Sequence, residues 1–270
     1  MAEDFGDIRP QEYHSQLISK EQRADGRKLE EVREVKLEVD AIRTADSSSL
    51  VKLGNTSLVC GCTTQILKAS DKVDDTDEIK IKVDLPPICS SHTGHRTQYS
   101  AQLLTKTLRD ILESSNCVDR QSLYIQESDS YWSVNVEVIC LNLDGCLLDA
   151  ALLAVLAALK SLKLRCKATK EGRTSTVTFN SFPICSSFAV FGDRIVCDPN
   201  LEEETAAHST ISVAIDLTTL QCCHINKIGG KALTPDDLFK CIELAKKRAN
   251  QLRQLIEDLG ADRMECSPPS

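Results

Sequence analysis

The sequence predicts an α+β fold in which mixed sheets pack around buried helices, and three observations carry that prediction. Strand-like alternation recurs in several separated runs. One helical run is apolar on nearly every side. The order strands, helix, strands, buried helix, strands, long helix gives a βα unit twice. That duplicated order is the evidence for internal repetition; the pentapeptide "PICSS" at 87–91 and 183–187 lacks matching flanks and is read as coincidence.

Each element has its own signal. "PQEYHSQLIS" suits a short helix with Tyr13, Leu17 and Ile18 on one face, and Asp25-Gly26 in "RADGRKLEEVREV" marks a turn. Three strands follow: "VKLEVDAIR" alternates Val35, Leu37 and Val39 with charged neighbours, then "SSSLVKLG", the turn at Gly54-Asn55-Thr56, and "SLVCGCTTQIL". The acidic stretch "KASDKVDDTDEIK" reads as a solvated loop before the strand "IKIKVDLP". From about Thr97 to Ser114, Leu103, Leu104, Leu108, Ile111 and Leu112 repeat at helical spacing. Next, "SLYIQESDSYWSVNVEVICLNL" gives strand, turn and strand, with Trp132, Val134, Val136, Val138 and Cys140 on a buried face opposite Ser133, Asn135 and Glu137 on a wet one.

The run "DAALLAVLAALKSL" has so little polar surface that it belongs between layers, with Asp149 placed to cap its first turn. Basic "KLRCKATKEGR" reads as a surface connection, and the segment from Lys160 to Arg173 as solvated by default. Strands resume at "TSTVTF", "ICSSFAVF", "RIVC", "STISVAID" and "LQCCHIN". The last helix starts with Thr234 as cap, Pro235 in its first turn and Asp236 and Asp237 against the positive helix end; Gly260 suits its termination. "MECSPPS" reads as a frayed tail.

A chain of 270 residues that is 41% hydrophobic can bury a proper core. With 32 basic against 40 acidic residues, the net charge of −8 gives no general attraction for phosphate backbones, so any nucleic acid must be met by a local patch or with partners. No apolar run reaches the about 18 residues of a membrane span, and "MAEDFGDIRPQEY" lacks the pattern of a secretory signal; the chain reads as intracellular with no membrane partner. Thirteen scattered cysteines, an odd number, fit buried reduced thiols better than a disulfide framework. Cys60 with Cys62, and Cys222 and Cys223 with His224, lack C-x-x-C spacing, so no metal and no cofactor are expected.

The motifs "RADGRKLEEVR", "SLVKLGNTSLVCG", "LNLDGCLLDAALLAVLAAL" and "DPNLEEETAAHSTISVAI", in that order from about Arg23 to Gly260, resemble the RNase PH family of phosphate-dependent exoribonucleases. Through "VDLPPICSS", "SFAVF" and "DPNLEEE" the sequence is similar to Rrp42-like ring subunits of the eukaryotic RNA exosome. The resemblance implies an RNase PH-type fold over residues 23–262, preceded by a partly helical extension (1–22) and followed by a tail (263–270). It also implies three chemical devices: a Gly-Gly-Thr-Arg-type phosphate loop before the buried helix, carboxylates six apart, and an arginine pair gripping RNA before the first long helix.

Each device is altered. After Asp144-Gly145 stand Cys146, Leu147 and Leu148, which offer phosphate no cation. Asp198 and Glu204 keep the six-residue spacing, with Asn200 where active relatives carry a further Asp. These residues and Asp144 are read as remnants of an active site. Such carboxylates suit weak Mg²⁺ binding, but the blander reading makes Glu202, Glu203 and Glu204 a solvated or interface-facing acidic loop. The arginine pair becomes His95-Arg96, which with His92 are the candidate RNA contacts; a plain surface loop is the alternative. Arg23, Asp25, Gly26, Arg27 and Arg33 match the family's opening signature and are read as tying the N-terminus to the domain, with contact of an Arg to RNA or a neighbouring subunit as the alternative.

The expectation is thus no catalytic residue and no enzyme, but a ring subunit that helps form a pore guiding single-stranded RNA to a separate nuclease. Expected partners are other RNase PH-like ring subunits, S1/KH-type cap subunits, single-stranded RNA and exosome nucleases, in nucleus, nucleolus and cytoplasm. A working phosphorolytic exoribonuclease is the rival reading, and an RNA-binding module independent of any ring is a third.

Overall fold

The structure is a computed structural model that describes residues 10–68, 78–89, 95–125, 129–165, 174–230 and 232–261. A first sheet holds β1 (Val35–Val39), β2 (Ser47–Leu53), β3 (Thr56–Lys68), β4 (Ile79–Asp84), β5 (Tyr124–Ile125) and β6 (Ser130–Asn142), in the order β1-β2-β3-β6-β4, with β5 beside β6. Its pairs are antiparallel except β4 with β6, which is parallel, so the sheet is mixed. A two-stranded ribbon, β7 (Lys163–Arg165) and β8 (Thr174–Thr176), precedes the second sheet. That sheet runs β10-β9-β11-β12, all antiparallel, from β9 (Pro183–Phe191), β10 (Arg194–Cys197), β11 (Ser209–Asp216) and β12 (Cys222–Gly229). The helices are α1 (Pro10–Ser19), α2 (His95–Ser114), α3 (Leu147–Ser161), the short α4 (Leu201–Ala206) and α5 (Pro235–Ala261).

The apolar helix α3 lies where its composition demands, touching β2 and β3 of one sheet and β9 of the other. Leu152, Val155 and Leu159 are fully buried in a core shared by both sheets, each such side chain contributing roughly 1.5–3 kcal/mol of transfer free energy. The contact with β2 is also polar: Ser49 Oγ donates to the Ala154 carbonyl at 2.7 Å and Ser47 Oγ to the Ala158 carbonyl at 2.6 Å. Serine hydroxyls thus satisfy themselves on helix carbonyls where no water reaches.

On β9 every residue is buried because the strand is covered on both faces. Phe188 and Val190 face the main core, while Ala189 and Phe191 face a second cluster with Ile18 of α1, Val196 and Ala206. The period-2 alternation of a strand explains why adjacent residues serve different cores.

Several local readings need correction. Asp149 does not cap α3. The cap position is Cys146, in a left-handed conformation at φ 49° with no side-chain cap, while Asp149 accepts hydrogen bonds from Ser187 N at 2.8 Å and Ser187 Oγ at 2.7 Å. A charge amid an apolar run is here drawn inward by a partner on β9. Ser133 is buried, not wet, so β6 is enclosed on both faces until it emerges at Glu137. Lys163–Arg165 forms a strand where a connection was expected, since β8 gives it a pairing partner. The strand at "TSTVTF" stops at Thr176, and α5 continues past Gly260 to Ala261.

Thr234 caps α5, its hydroxyl accepting from Asp237 N at 3.2 Å. Of the eleven described cysteines, all free, nine are buried, which places the thiols in core packing. Among the described residues no helix is long and apolar enough to cross a membrane.

Candidate functional site

The four carboxylate and amide positions singled out in the sequence converge at one end of α3, and their hydrogen bonds define what each does. Asp198 follows β10 in the left-handed region at φ 49°, with 2% of its surface exposed. Its carboxylate accepts from Arg33 N at 2.6 Å, Arg33 Nε at 3.0 Å, Arg33 Nη2 at 2.8 Å and Arg27 Nη1 at 3.1 Å. Burial alone would raise its pKa, but the Arg33 hydrogen bonds and charge overcome this and hold the carboxyl well below the usual range. Asp198 is therefore ionised and fully engaged by protein donors.

Asn200 is the N-cap of α4 in a reciprocal capping box: its Oδ1 accepts from Glu203 N at 2.8 Å, and Glu203 Oε2 accepts from Asn200 N at 3.0 Å. Glu203 also forms a forked pair with Arg23, Nε to Oε1 at 2.8 Å and Nη2 to Oε2 at 2.5 Å, with both side chains wholly buried. This corrects the reading of Glu202–Glu204 as a solvated or interface-facing acidic loop. The segment is helical, and only Glu202 is exposed. A forked guanidinium with further bonds to the carbonyls of Cys197 and Asp198 makes burial of the glutamate tolerable.

Glu204 turns toward the start of α3, where its Oε1 accepts from Cys146 N at 2.7 Å. Burial pushes its pKa up to about 7. Asp144 accepts from Asn55 Nδ2 at 3.2 Å and lies 3.5 Å from Arg33 Nη1, whose closer bond goes to the Asp144 carbonyl at 2.5 Å. Gly145 holds φ 76°, and a Cβ there would stand 2.5 Å from the Pro199 carbonyl, so the loop and the β10–α4 connection approach too closely for any side chain.

The start of α3 is thus an amide-bearing helix end, the kind of place that attracts anions, already occupied by the chain's own carboxyl group. The first residues of α3 supply no cation: Cys146 Sγ donates to the Pro199 carbonyl at 3.3 Å, and Leu147 and Leu148 pack against the core. The nearby Arg27 is paired with Asp25 and Asp198 and leaves its buried Nη2 without a partner among the described residues. Arg33 is committed to Asp198 and Asp144. Beside the group, Ala24, Arg27, Arg33, Asn55, Asp144 and Asn200 line an open depression of about 470 Å³.

His95 and Arg96 fall in the first turn of α2, with side chains outside the described residues; His92 lies outside them altogether. Sequence reasoning gave Arg23, Arg27 and Arg33 a tying role without their partners. It missed the burial of Glu203, whose partner is 180 residues away, and the Asp149–Ser187 bond, for which the lone charge in an apolar helix was the available signal.

A mixed two-sheet fold of this topology, with acidic residues gathered at the end of a central helix, defines a class. Models of the 3′ exoribonuclease family match residues 31–165 as its domain 1 and residues 181–248 as its domain 2. The chain belongs to that family, and its fold is RNase PH-like. It is 31% identical to the exosome complex component rrp43 of Schizosaccharomyces pombe over 255 residues, covering 90% of this chain and 94% of that protein. It is likewise 31% identical to the exosome complex component Rrp42 of Methanocella arvoryzae, covering 96% and 100%. A solved Archaeoglobus fulgidus exosome with RNA bound to the active site contains a chain of TM-score 0.82 and 26% identity, with 93% of this chain and 98% of that one superposed.

Proposed function

We propose that this chain is a non-catalytic structural subunit of an exosome core ring, burying its faces against RNase PH-like neighbours to complete a pore for single-stranded RNA. The similarity to exosome ring components over nearly the full length supports the assembly. One observation carries the absence of catalysis: Glu204 caps the Cys146 amide at the start of α3, and no cation stands among Cys146, Leu147 and Leu148. An attacking phosphate would lack two or three charge-assisted hydrogen bonds worth roughly 1.5–3 kcal/mol each. At about 1.4 kcal/mol per factor of ten, that deficit removes several powers of ten in rate. Both Asp198 oxygens already accept from arginine, Oδ2 from Arg27 and Arg33 and Oδ1 from Arg33, which disfavours a metal there.

RNA contact in this reading falls to the loop and helix start at His92, His95 and Arg96, a local patch on a chain of net charge −8. S1/KH-type cap subunits and a separate nuclease complete the assembly, which works in nucleus, nucleolus and cytoplasm. The test is phosphorolysis: the purified chain, alone and with a ring partner whose own phosphate loop is disabled, is expected to release no nucleoside diphosphates from single-stranded RNA. Phosphate-dependent release that disappears in Glu204→Gln would overturn the assignment.

A further inference from the structure

Between α5 and β9, bordered at one side by Asp149 in the first turn of α3 and by Asp198, lies a cavity of about 120 Å³. Arg248, Ser186, Ser187, Asp149 and Asp198 line its interior, and the exposed Lys247 and Glu30 stand at its rim. Arg248 is 7% exposed and Ser186 2%. Neither Arg248 Nε nor Ser186 Oγ has a hydrogen-bond partner among the described residues. The other lining polar groups are Gln251, exposed on α5, and the engaged side chains of Ser187, Asp149 and Asp198. Asp149 accepts from Ser187 N and Oγ, and Asp198 accepts from Arg33 and Arg27. Burial raises the Asp149 pKa, against the lowering effect of the nearby Arg248 charge and the Ser187 hydrogen bonds.

The unmet demand in this space is therefore for hydrogen-bond acceptors. A guanidinium does not shed its proton, and a buried donor left unpaired costs roughly 1–3 kcal/mol, more when charged. A cavity of this size exceeds the about 10–15 Å³ that one water requires, and leaves room for one four-oxygen anion with accompanying water but none for a nucleoside. We propose that the cavity between α5 and β9 binds a free tetrahedral oxyanion, held by Arg248 and Ser186 and guided in by Lys247. Asp149 and Asp198 nearby keep the affinity modest, on the order of millimolar.

The inference does not depend on the ring assignment, and it is tested on the full chain by calorimetric titration with orthophosphate. Saturable binding is expected, with sulfate competing. Arg248→Met should weaken it at least about tenfold and Ser186→Ala by about threefold to tenfold. Adenosine monophosphate should bind at least about tenfold more weakly than orthophosphate, because the space excludes its nucleoside. No saturable heat up to about 50 mM phosphate would mean that the cavity holds water only, and would overturn the proposal. Unchanged binding in Ser186→Ala would do the same, and this variant decides the matter should Arg248→Met fail to fold. Equal binding of the nucleotide would contradict a free-anion site.

Discussion

Asp198 and Glu204 stand six residues apart, yet their surroundings drive them in opposite directions. Both are pushed upward by burial; at Asp198 the forked contacts of Arg33 reverse the effect, while at Glu204 one backbone amide from Cys146 does not. A Glu204 carboxyl with a pKa of about 7 in the folded chain, against 4.5 ordinarily, holds a proton that the unfolded chain has already released in that interval. Its contribution to stability is complete below about pH 4.5 and disappears as pH rises through about 7. Since Glu204 keeps part of its surface open, the effect amounts to roughly 1–3 kcal/mol. Glu204→Gln should therefore match the parent in thermal unfolding at pH 5 and exceed it by a few degrees at pH 8; a lower melting temperature at pH 8 would contradict the enclosed-carboxyl reading. Arg96 provides a second test at this scale. In the assembled complex, Arg96→Ala is expected to reduce photo-crosslinking to single-stranded RNA several-fold, because a permanent forked phosphate donor is lost where His95 offers only a weaker one; undiminished crosslinking would remove Arg96 from the RNA path.

At the scale of elements, legibility in the sequence followed how far apart the interacting residues lie. The alternation of β6 and the all-round apolarity of α3 are local patterns, and both elements formed, although the wet face read for β6 emerges only from Glu137 onward. The capping of α5 by Thr234 needed only four residues and was equally plain. What could not be read is α4: three successive glutamates look solvated until Arg23, distant in the chain, is folded against Glu203. That pair pins the N-terminal segment to the α4 end of the second sheet. Removing one partner strands a buried charge, so Arg23→Met and Glu203→Leu should each cost about 3–5 kcal/mol in denaturant unfolding, and the double variant should recover much of the loss. Additive losses would show that the two side chains act independently. The site was legible to the same degree: the spacing of Asp198, Asn200 and Glu204 pointed to one place, but whether those oxygens were free depended on Arg27 and Arg33 more than 160 residues earlier.

At the scale of the whole molecule, a net charge of −8 gives no general attraction for RNA backbones, so RNA contact must come from a local patch or from ring neighbours. Family membership and full-length similarity to exosome components agree with that division of labour. The decisive measurement is the native mass of the complex recovered when the tagged full-length chain is purified from cells. The account predicts one species in which this chain is present at a fixed stoichiometry with several RNase PH-like companions. Recovery of the chain by itself, or only with copies of itself, would contradict it.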